Sequence, residues 1–325
     1  MEQFATALKA LGHTDRLRIL ALLSHGELTV SELVSILNLS QPRVTQYIKS
    51  LEAAGILERL REGSWVFSRL KRGNVGISAL VSTTLAALPQ DDPTLSADQR
   101  RLSDVRAERS KIVEAFFADV ANDRGQLGNE YLPQSDIEKA LLEAAGDKTY
   151  DYMVDLGTGT GRMLELFAKR AKGGAGIDTN VEMLTVARHK LASTDFSHMS
   201  VQQGDLHSTP LGTGMADLVT IHQVLHYLDD PQEAVREASR LLMTGGTFLI
   251  VDFEAHQFEA FRDKYAHRRL GFSDEEITTW LEATDMRLTS VQNIGREDEN
   301  LPAVKIWRAE RKSHRDKAFE ERLST

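Results

Sequence analysis

Residues 152–161 read Tyr-Met-Val-Asp-Leu-Gly-Thr-Gly-Thr-Gly, an apolar run of strand type that ends in three glycines at alternate positions. A helix follows, with Met163, Leu164, Leu166 and Phe167 on its inner side. A strand, a glycine turn and a helix let the backbone come close to a ligand that a Cβ would push away. The dinucleotide fingerprint places its third glycine one residue further on, so Gly157, Gly159 and Gly161 do not form that motif. A second apolar run, Gly174-Ala175-Gly176-Ile177-Asp178, ends in an acid roughly 20 residues past the loop, where a carboxylate accepts ribose hydroxyls. Beyond it the sequence alternates. Met183–Leu191 reads as a helix, and residues 201–205 as a strand closed by Asp205. Ala216–His222 reads as a strand, and Asp230-Pro231 opens a helix that runs to Leu242. Gly245-Gly246 is a turn, and Thr247–Asp252 a further strand. Leu288–Ile294 with Val304–Trp307 reads as a closing antiparallel pair. Such alternation predicts an α/β domain.

A chain of 325 residues is too long for one small module and predicts two domains, at roughly 100–200 residues each. Hydrophobic residues make up 41% and there are 22 glycines, an ordinary globular balance that excludes global disorder. The absence of cysteine excludes disulfides, thiolate metal sites and a cysteine nucleophile. No apolar run approaches the ~18 residues of a membrane span. Met1-Glu2-Gln3-Phe4 lacks the basic and apolar regions of a secretory signal, so the expected setting is cytoplasmic, with no membrane partner. The net charge of −9 is unevenly spread. Residues 1–88 hold ten Lys/Arg against seven Asp/Glu, a balance of +3; the remainder holds 29 against 41, a balance of −12. A basic block on an acidic chain hints at nucleic acid contact at one end.

That block reads as short helices closed by a hairpin. Leu8, Leu11, Leu17, Ile19, Leu20, Leu22 and Leu23 supply apolar faces as far as Gly26, and Thr29-Val30-Ser31-Glu32 opens another helix through Leu37. Asn38-Leu39-Ser40 is a tight turn, with Ser40 placed as an N-cap. The next helix, from about Gln41 to Ala54, buries Val44, Ile48 and Leu51 and turns Gln41, Arg43, Thr45, Gln46 and Lys49 outward. A short, polar and basic face without acids suits phosphates and base edges. After Gly55, strands over 56–61 and 64–70 flank a Glu62-Gly63 turn, and Arg59, Arg61, Arg69, Lys71 and Arg72 sit on or beside them. This is the pattern of a winged helix-turn-helix, whose second helix enters the major groove. Val75, Ile77, Leu80, Val81, Leu85 and Leu88 form a stripe too apolar to stay exposed.

Pro89-Gln90-Asp91-Asp92-Pro93 is a linker. A charged helix over about 96–120 follows, with Leu102, Val105, Arg109, Ile112, Val113, Phe116 and Phe117 along one edge. Asp123-Arg124-Gly125 breaks it, and residues 135–145 form another helix. The expected layout is a winged helix-turn-helix over 1–88, connecting segments over 89–148, an α/β Rossmann-like domain over 149–310 and a charged tail over 311–325.

Two resemblances sharpen this. The stretch LSQPRVTQYIKSLEAAGILERLREGSWVFSRL, with its Ala54-Gly55-Ile56 junction, resembles the ArsR family of dimeric repressors. That implies binding to double-stranded operator DNA and a homodimer formed by the N-terminal domain through its first and last helices. Metal-sensing members carry cysteines on the first helix of the motif, or His and Asp pairs on the dimer helix. Here Leu28-Thr29-Val30-Ser31-Glu32 takes the first place and residues 71–88 hold no histidine or cysteine, so no metal site is expected. Residues 149–310 resemble the class I S-adenosylmethionine-dependent methyltransferases. That likeness implies S-adenosylmethionine or S-adenosylhomocysteine as ligand. Asp155, Gly157, Thr158, Gly159 and Gly161 would lie on the methionine and ribose side, Asp178 on the ribose, and Thr179 and Met183 beside it. Asp205 would meet the adenine amino group, Leu206 one adenine face, and His222 and Gln223 the pocket mouth. The whole arrangement resembles fused ArsR-type regulators of methionine-cycle genes that respond to S-adenosylhomocysteine.

Binding this nucleoside and methylating something remain separate claims, because a sulfonium leaving group can need little beyond positioning. His222, His226, Tyr227, Asp252, His256 and His267 are the candidates for acid–base work; His222 and His226 are four residues apart but have no evident third metal ligand. The sequence therefore supports a regulator that senses the nucleoside, with an active methyltransferase tethered to DNA or a partner as the alternative.

Overall fold

A computed structural model describes residues 2–62, 65–71, 75–89, 91–122, 134–192, 196, 198–294 and 301–313. The expected turn at Gly63, the cation Arg72, the break at Asp123-Arg124-Gly125 and residues 314–325 of the tail lie outside them, as do the side chains of Ile112, Val113, Phe116 and Phe117. The chain forms two compact units, Met1–Ile112 and Val113–Thr325. Among the described residues, no helix is long and apolar enough to cross a membrane.

The first unit begins with α1 (Glu2–Leu11) and α2 (Thr14–Leu23), then β1 (Leu28–Thr29), α3 (Val30–Leu37) and α4 (Gln41–Ala53). Thr29 and Glu32 start α3 with a reciprocal capping box, and Asn38, at φ 54°, ends it. Ser40 holds the N-cap position of α4, but its hydroxyl makes no capping bond. The reason is local: Pro42 has no N–H to offer, and the Arg43 N–H bonds the Ser40 carbonyl at 3.0 Å. β2 (Leu57–Glu62) pairs antiparallel with β3 (Trp65–Leu70), which also takes β1 on its other edge. α5 (Val75–Ala87) and the N-terminal part of α6 (Pro93–Asn122) complete the unit. Its core contains Ile19, Leu20, Leu33, Ile36, Val44, Ile48 and Leu51, to which α5 adds Ile77 and Val81, and α6 adds Leu102.

In the second unit α7 (Gln134–Ala145) leads into β4 (Met153–Leu156), α8 (Arg162–Phe167), β5 (Gly174–Asp178), α9 (Val181–Ala192), β6 (Met199–Gln203) and β7 (Ala216–His222). A 3-10 turn at Leu225–Tyr227, α10 (Pro231–Leu241), β8 (Leu242–Phe253), α11 (Ala260–Tyr265), α12 (Asp274–Glu282), β9 (Met286–Ile294) and β10 (Val304–Arg311) follow. The sheet order is β6-β5-β4-β7-β8-β10-β9. The five strands from β6 to β8 are parallel, and β10 lies antiparallel between β8 and β9. The expected closing pair is therefore present, with β10 inserted next to β8. Separate apolar clusters, one with Phe167, Met153 and Leu249, the other with Val154, Val235, Trp280 and Trp307, supply the core. Strand order reverses at β4, so the crevice of this sheet opens beyond the carboxyl ends of β4 and β7.

Candidate functional site

The loop after β4 is built around that crevice. Gly157, Gly159 and Gly161 have φ of 76°, 51° and 83°, a region that side chains with a Cβ rarely enter. A Cβ on Gly157 would meet a methyl of Val224 at 2.4 Å, whereas one on Gly159 would have no protein atom within 4 Å. The loop is tied to β5 by Gly157 and Thr158 N–H groups that donate to the Ile177 carbonyl, at 2.8 and 3.0 Å. At the end of β5 the Asp178 carboxylate accepts the Gly159 N–H at 2.8 Å and the Asn180 N–H at 2.9 Å. Burial still raises its pKa against these backbone bonds. Two carboxylate oxygens offer about four acceptor sites, so room remains for hydroxyl donors.

Beneath the loop Asp155 is buried at the end of β4 and accepts the Thr220 hydroxyl at 2.6 Å. Burial lifts its pKa to about 6 against that bond. The Thr158 hydroxyl is a second group that holds the Asp155 pKa down. Asn180 caps α9 by accepting the Met183 N–H at 2.9 Å, Met183 is buried, and Thr179 is exposed. Asp205 accepts both the backbone N–H and the ring Nδ1–H of His207; burial pushes its pKa up, but these bonds outweigh it and the net shift is downward. Leu206 is buried beside it. Gln223 sits at φ 54° just past β7, and its N–H bonds the Val251 carbonyl at 2.7 Å. These positions suit an adenosyl nucleoside: open space over Gly159 and a desolvated carboxylate at the β5 end. Asn180, Thr220 and Val224 are supporting residues that the sequence reading missed. The only sequence signal was Asn180, three residues before the apolar start of a helix.

The six acid–base candidates come together at the same carboxyl end of the sheet. His226, on the turn after β7, donates Nδ1–H to Asp252 of β8 at 2.6 Å, and both are buried. Asp252 also accepts the Phe253 N–H at 2.8 Å. The His226 ring stacks on His267 at 3.9 Å and lies 4.1 Å from the Tyr227 ring. His256 packs against Phe253 and Phe261. Burial lowers His222 and His256 to about 4, and burial together with the neighbouring imidazoles pushes His267 lower still, so all three are neutral at neutral pH.

In the first unit Gln41, Arg43, Gln46 and Lys49 are exposed on α4, and Thr45 is half-buried beside them. Arg43 is engaged within the protein: Nε donates to the Tyr47 hydroxyl at 2.8 Å and Nη2 pairs with Asp15 at 3.1 Å. On the hairpin Arg61 is exposed and Arg59 pairs with Glu52 at 2.8 Å. Arg69 is half-buried and pairs with Glu58 at 2.7 Å and with Glu27 at 3.1 Å.

Residues 154–250 match the family described as a methyltransferase domain, and residues 13–59 the bacterial regulatory proteins of the arsR family. The chain is 30% identical over 187 residues to the ubiquinone/menaquinone biosynthesis C-methyltransferase UbiE of Cellvibrio japonicus, which covers 54% of this chain and 73% of that protein. It is 29% identical over 115 residues to the uncharacterized methyltransferase YcgJ of Bacillus subtilis, 35% of this chain and 46% of that one. The chain thus spans about half the length of the first curated relatives it matches. Among solved structures, the N-methyltransferase NodS of Bradyrhizobium japonicum, in complex with S-adenosyl-L-homocysteine, superposes with a TM-score of 0.52 at 16% identity over 62% of this chain and 98% of that one. That is a likeness of fold.

Proposed function

We propose, for a chain that belongs to the S-adenosylmethionine-dependent methyltransferase family and carries an arsR-family regulatory region, that it is a DNA-binding transcriptional regulator with a nucleoside sensor. It acts as a homodimeric repressor of methionine-cycle genes, and S-adenosylhomocysteine or S-adenosylmethionine is its effector. The observation that carries the reading is the Asp178 carboxylate, fixed to the glycine loop by the Gly159 N–H, in a chain whose α4 presents an exposed polar face.

Asp178 would take the ribose hydroxyls, and the backbone of Gly157, Gly159 and Gly161 the methionine side, with Asp155 and Thr158 beneath. Asp205 and Leu206 would hold the adenine, Thr179 and Met183 would flank it, and His222 and Gln223 would close the mouth. S-adenosylmethionine would bring a sulfonium with a transferable methyl; S-adenosylhomocysteine differs from it by one methyl and one charge. On the DNA side Gln41, Thr45, Gln46 and Lys49 would face the groove, and Arg59 and Arg61 the flanking phosphates. Arg43 would have to exchange its bonds to Tyr47 and Asp15 for the duplex, and Arg69 its bonds to Glu58 and Glu27.

The test is fluorescence anisotropy with DNA from upstream of the protein's own coding sequence, titrated at fixed salt with each nucleoside separately. A coupling of ~1–3 kcal/mol would shift operator affinity some 5- to 150-fold. Equal affinity without ligand and with either nucleoside at saturation would overturn the sensor reading.

A further inference from the structure

Arg43 stands in the first turn of α4, and its guanidinium is held from two sides within the first unit. Nε donates to the Tyr47 hydroxyl at 2.8 Å, and Nη2 pairs with Asp15 Oδ2 at 3.1 Å. The Tyr47 hydroxyl donates to that same Oδ2 at 3.0 Å, so the three groups close a ring. The other oxygen of Asp15 takes a single bond from Arg18 Nη1, at 3.0 Å. Arg18 turns its Nε and Nη2 to Asp98 of α6, at 2.7 and 2.8 Å. Two carboxylates thus divide one guanidinium, and Asp15 retains charge that Arg18 does not offset. Burial raises the Asp15 pKa, but the bonds from Tyr47 and Arg18 and the charges of Arg43 and Arg18 outweigh it, and the net shift is downward. Side-chain exposure falls along the series, from 53% at Arg43 to 14% at Asp15, 10% at Arg18 and 2% at Asp98. A duplex can therefore reach Arg43 but not the carboxylate that holds it.

We propose that Asp15 is an internal competitor of DNA: its carboxylate holds Arg43 in the free protein, a duplex phosphate must displace it, and the strength of the hold depends on how Arg18 divides between Asp15 and Asp98. The competition follows from the donors, because the planar guanidinium fork fits carboxylate and phosphate alike. Loosening Arg18 from Asp98 turns its charge toward Asp15 and weakens the hold on Arg43. Tightening it does the reverse. Asp98 stands on α6, so a shift of that helix alters the hold through two ion pairs, with no refolding of α4. The inference rests on the DNA-binding half of the reading above and is independent of its nucleoside half.

The experiment uses the full chain and a duplex from upstream of its coding sequence, with binding read by fluorescence anisotropy at fixed salt. The unaltered protein is compared with Asp15→Asn, Arg43→Ala and the double variant. Asp15→Asn should bind about two- to fivefold more tightly, the worth of a half-exposed ion pair, and the gain should vanish when Arg43 is absent. An equal gain in both backgrounds would show a general change of field. A loss that depends on Arg43 would show that Asp15 orients the cation for DNA. Either result overturns the competitor. Asp98→Asn keeps the side-chain shape and leaves Asp15 in place. It should also tighten binding while Arg43 is present, and unchanged affinity overturns the division of Arg18. Nitrogen-15 spectra of the unaltered protein keep the test open if a variant fails to fold. The Arg43 Nε–H signal should shift as duplex is added, and a signal that stays put in the complex means that Arg43 never leaves its ring, which overturns the proposal. Binding that Lys49→Ala weakens and Asp15→Asn leaves unchanged overturns the competitor alone. An unaltered protein that does not bind the duplex overturns the DNA-binding reading with it.

Discussion

Gly157 and Gly159 share a left-handed backbone but differ in what an added methyl would touch, and that difference separates folding from binding. In Gly157→Ala the Cβ would press on Val224 at 2.4 Å, against a branched side chain that cannot swing away cheaply. In Gly159→Ala it would enter open space, so the fold carries only the backbone strain of order 1–2 kcal/mol. Thermal unfolding should therefore show the larger loss for Gly157→Ala. Calorimetry should show weakened S-adenosylhomocysteine binding for Gly159→Ala out of proportion to its stability, and unchanged affinity there would move the ligand away from the loop. The histidines make a second prediction. His222 and His256 titrate near 4 in the folded chain against an ordinary 6.5, and His267 lower. Across that window the unfolded chain binds protons that the folded chain refuses, so stability falls as pH falls. Asp155, raised to about 6, and Asp178, also raised, act in the opposite sense, because the folded state takes up their protons first. Three groups oppose two, and each uncompensated proton is worth about 1.4 kcal/mol per pH unit. The denaturant midpoint of the second unit should drop from about pH 7 to about pH 5, and His256→Gln should flatten the slope. A midpoint that holds or rises on acidification would contradict it.

Among the elements, α6 shows what local sequence can and cannot reveal. One of its acids and three of its arginines, Asp98, Arg101, Arg106 and Arg109, follow at spacings of three to five, and each of these four finds a partner in the helix-turn-helix. Asp98 takes two bonds from the buried Arg18, at 2.7 and 2.8 Å; Arg101 donates to the Ile36 carbonyl, Arg106 to the His25 carbonyl, and Arg109 pairs with Glu32 of the α3 capping box. Ile36 and Leu37 close α3, so Arg101 on the Ile36 carbonyl and Arg18 on the Leu37 carbonyl satisfy groups that the helix end leaves open. Removing one partner of a buried pair strands the other charge. Asp98→Ala should therefore cost about 3–5 kcal/mol, and Arg18→Ala with Asp98→Ala should cost less than the two singles together in denaturant unfolding; strict additivity would show that the pair is not coupled. None of this was legible beforehand. The sequence identifies the helix and Leu102 as its apolar edge, but Arg18 and Asp98 lie 80 residues apart and nothing near either names the other. The same limit applies to His226 and Asp252, 26 residues apart, which the sequence offers only as separate candidates. Arg69 is similar: the sequence places it on a basic hairpin, and its pairing with distant Glu27 is visible only in the structure. What local pattern does fix is the strand, glycine loop and helix from Met153 to Phe167, because burial, positive φ and helix periodicity are all written within fifteen residues of one another.

At the scale of the whole chain the basic and acidic regions make different demands on DNA. Residues 1–88 carry +3 and the remainder −12. Screening over about 8 Å at physiological salt confines electrostatic help to cations that reach the phosphates. Net charge therefore neither supplies the affinity nor forbids it, and on the proposed reading regulation would come from linkage between ligand and DNA. Linkage is reciprocal: if S-adenosylhomocysteine changes operator affinity by some factor, operator DNA changes nucleoside affinity by that same factor. Asp178→Ala isolates this coupling, because it alters the nucleoside site in the second unit and leaves α4 and the hairpin as they are. Loss of charge-assisted bonds to ribose should weaken S-adenosylhomocysteine by ~1–3 kcal/mol. Operator affinity without ligand should then equal that of the unaltered protein. At a nucleoside concentration that saturates the unaltered protein but not the variant, the variant's operator affinity should move back toward its ligand-free value. At concentrations that saturate both, the two proteins should again agree, provided the variant's bound state adopts the same conformation. A variant that binds the nucleoside as tightly as before would place the ribose contact elsewhere. One that binds it weakly yet responds to it at unchanged concentrations would show that the DNA reads a different site.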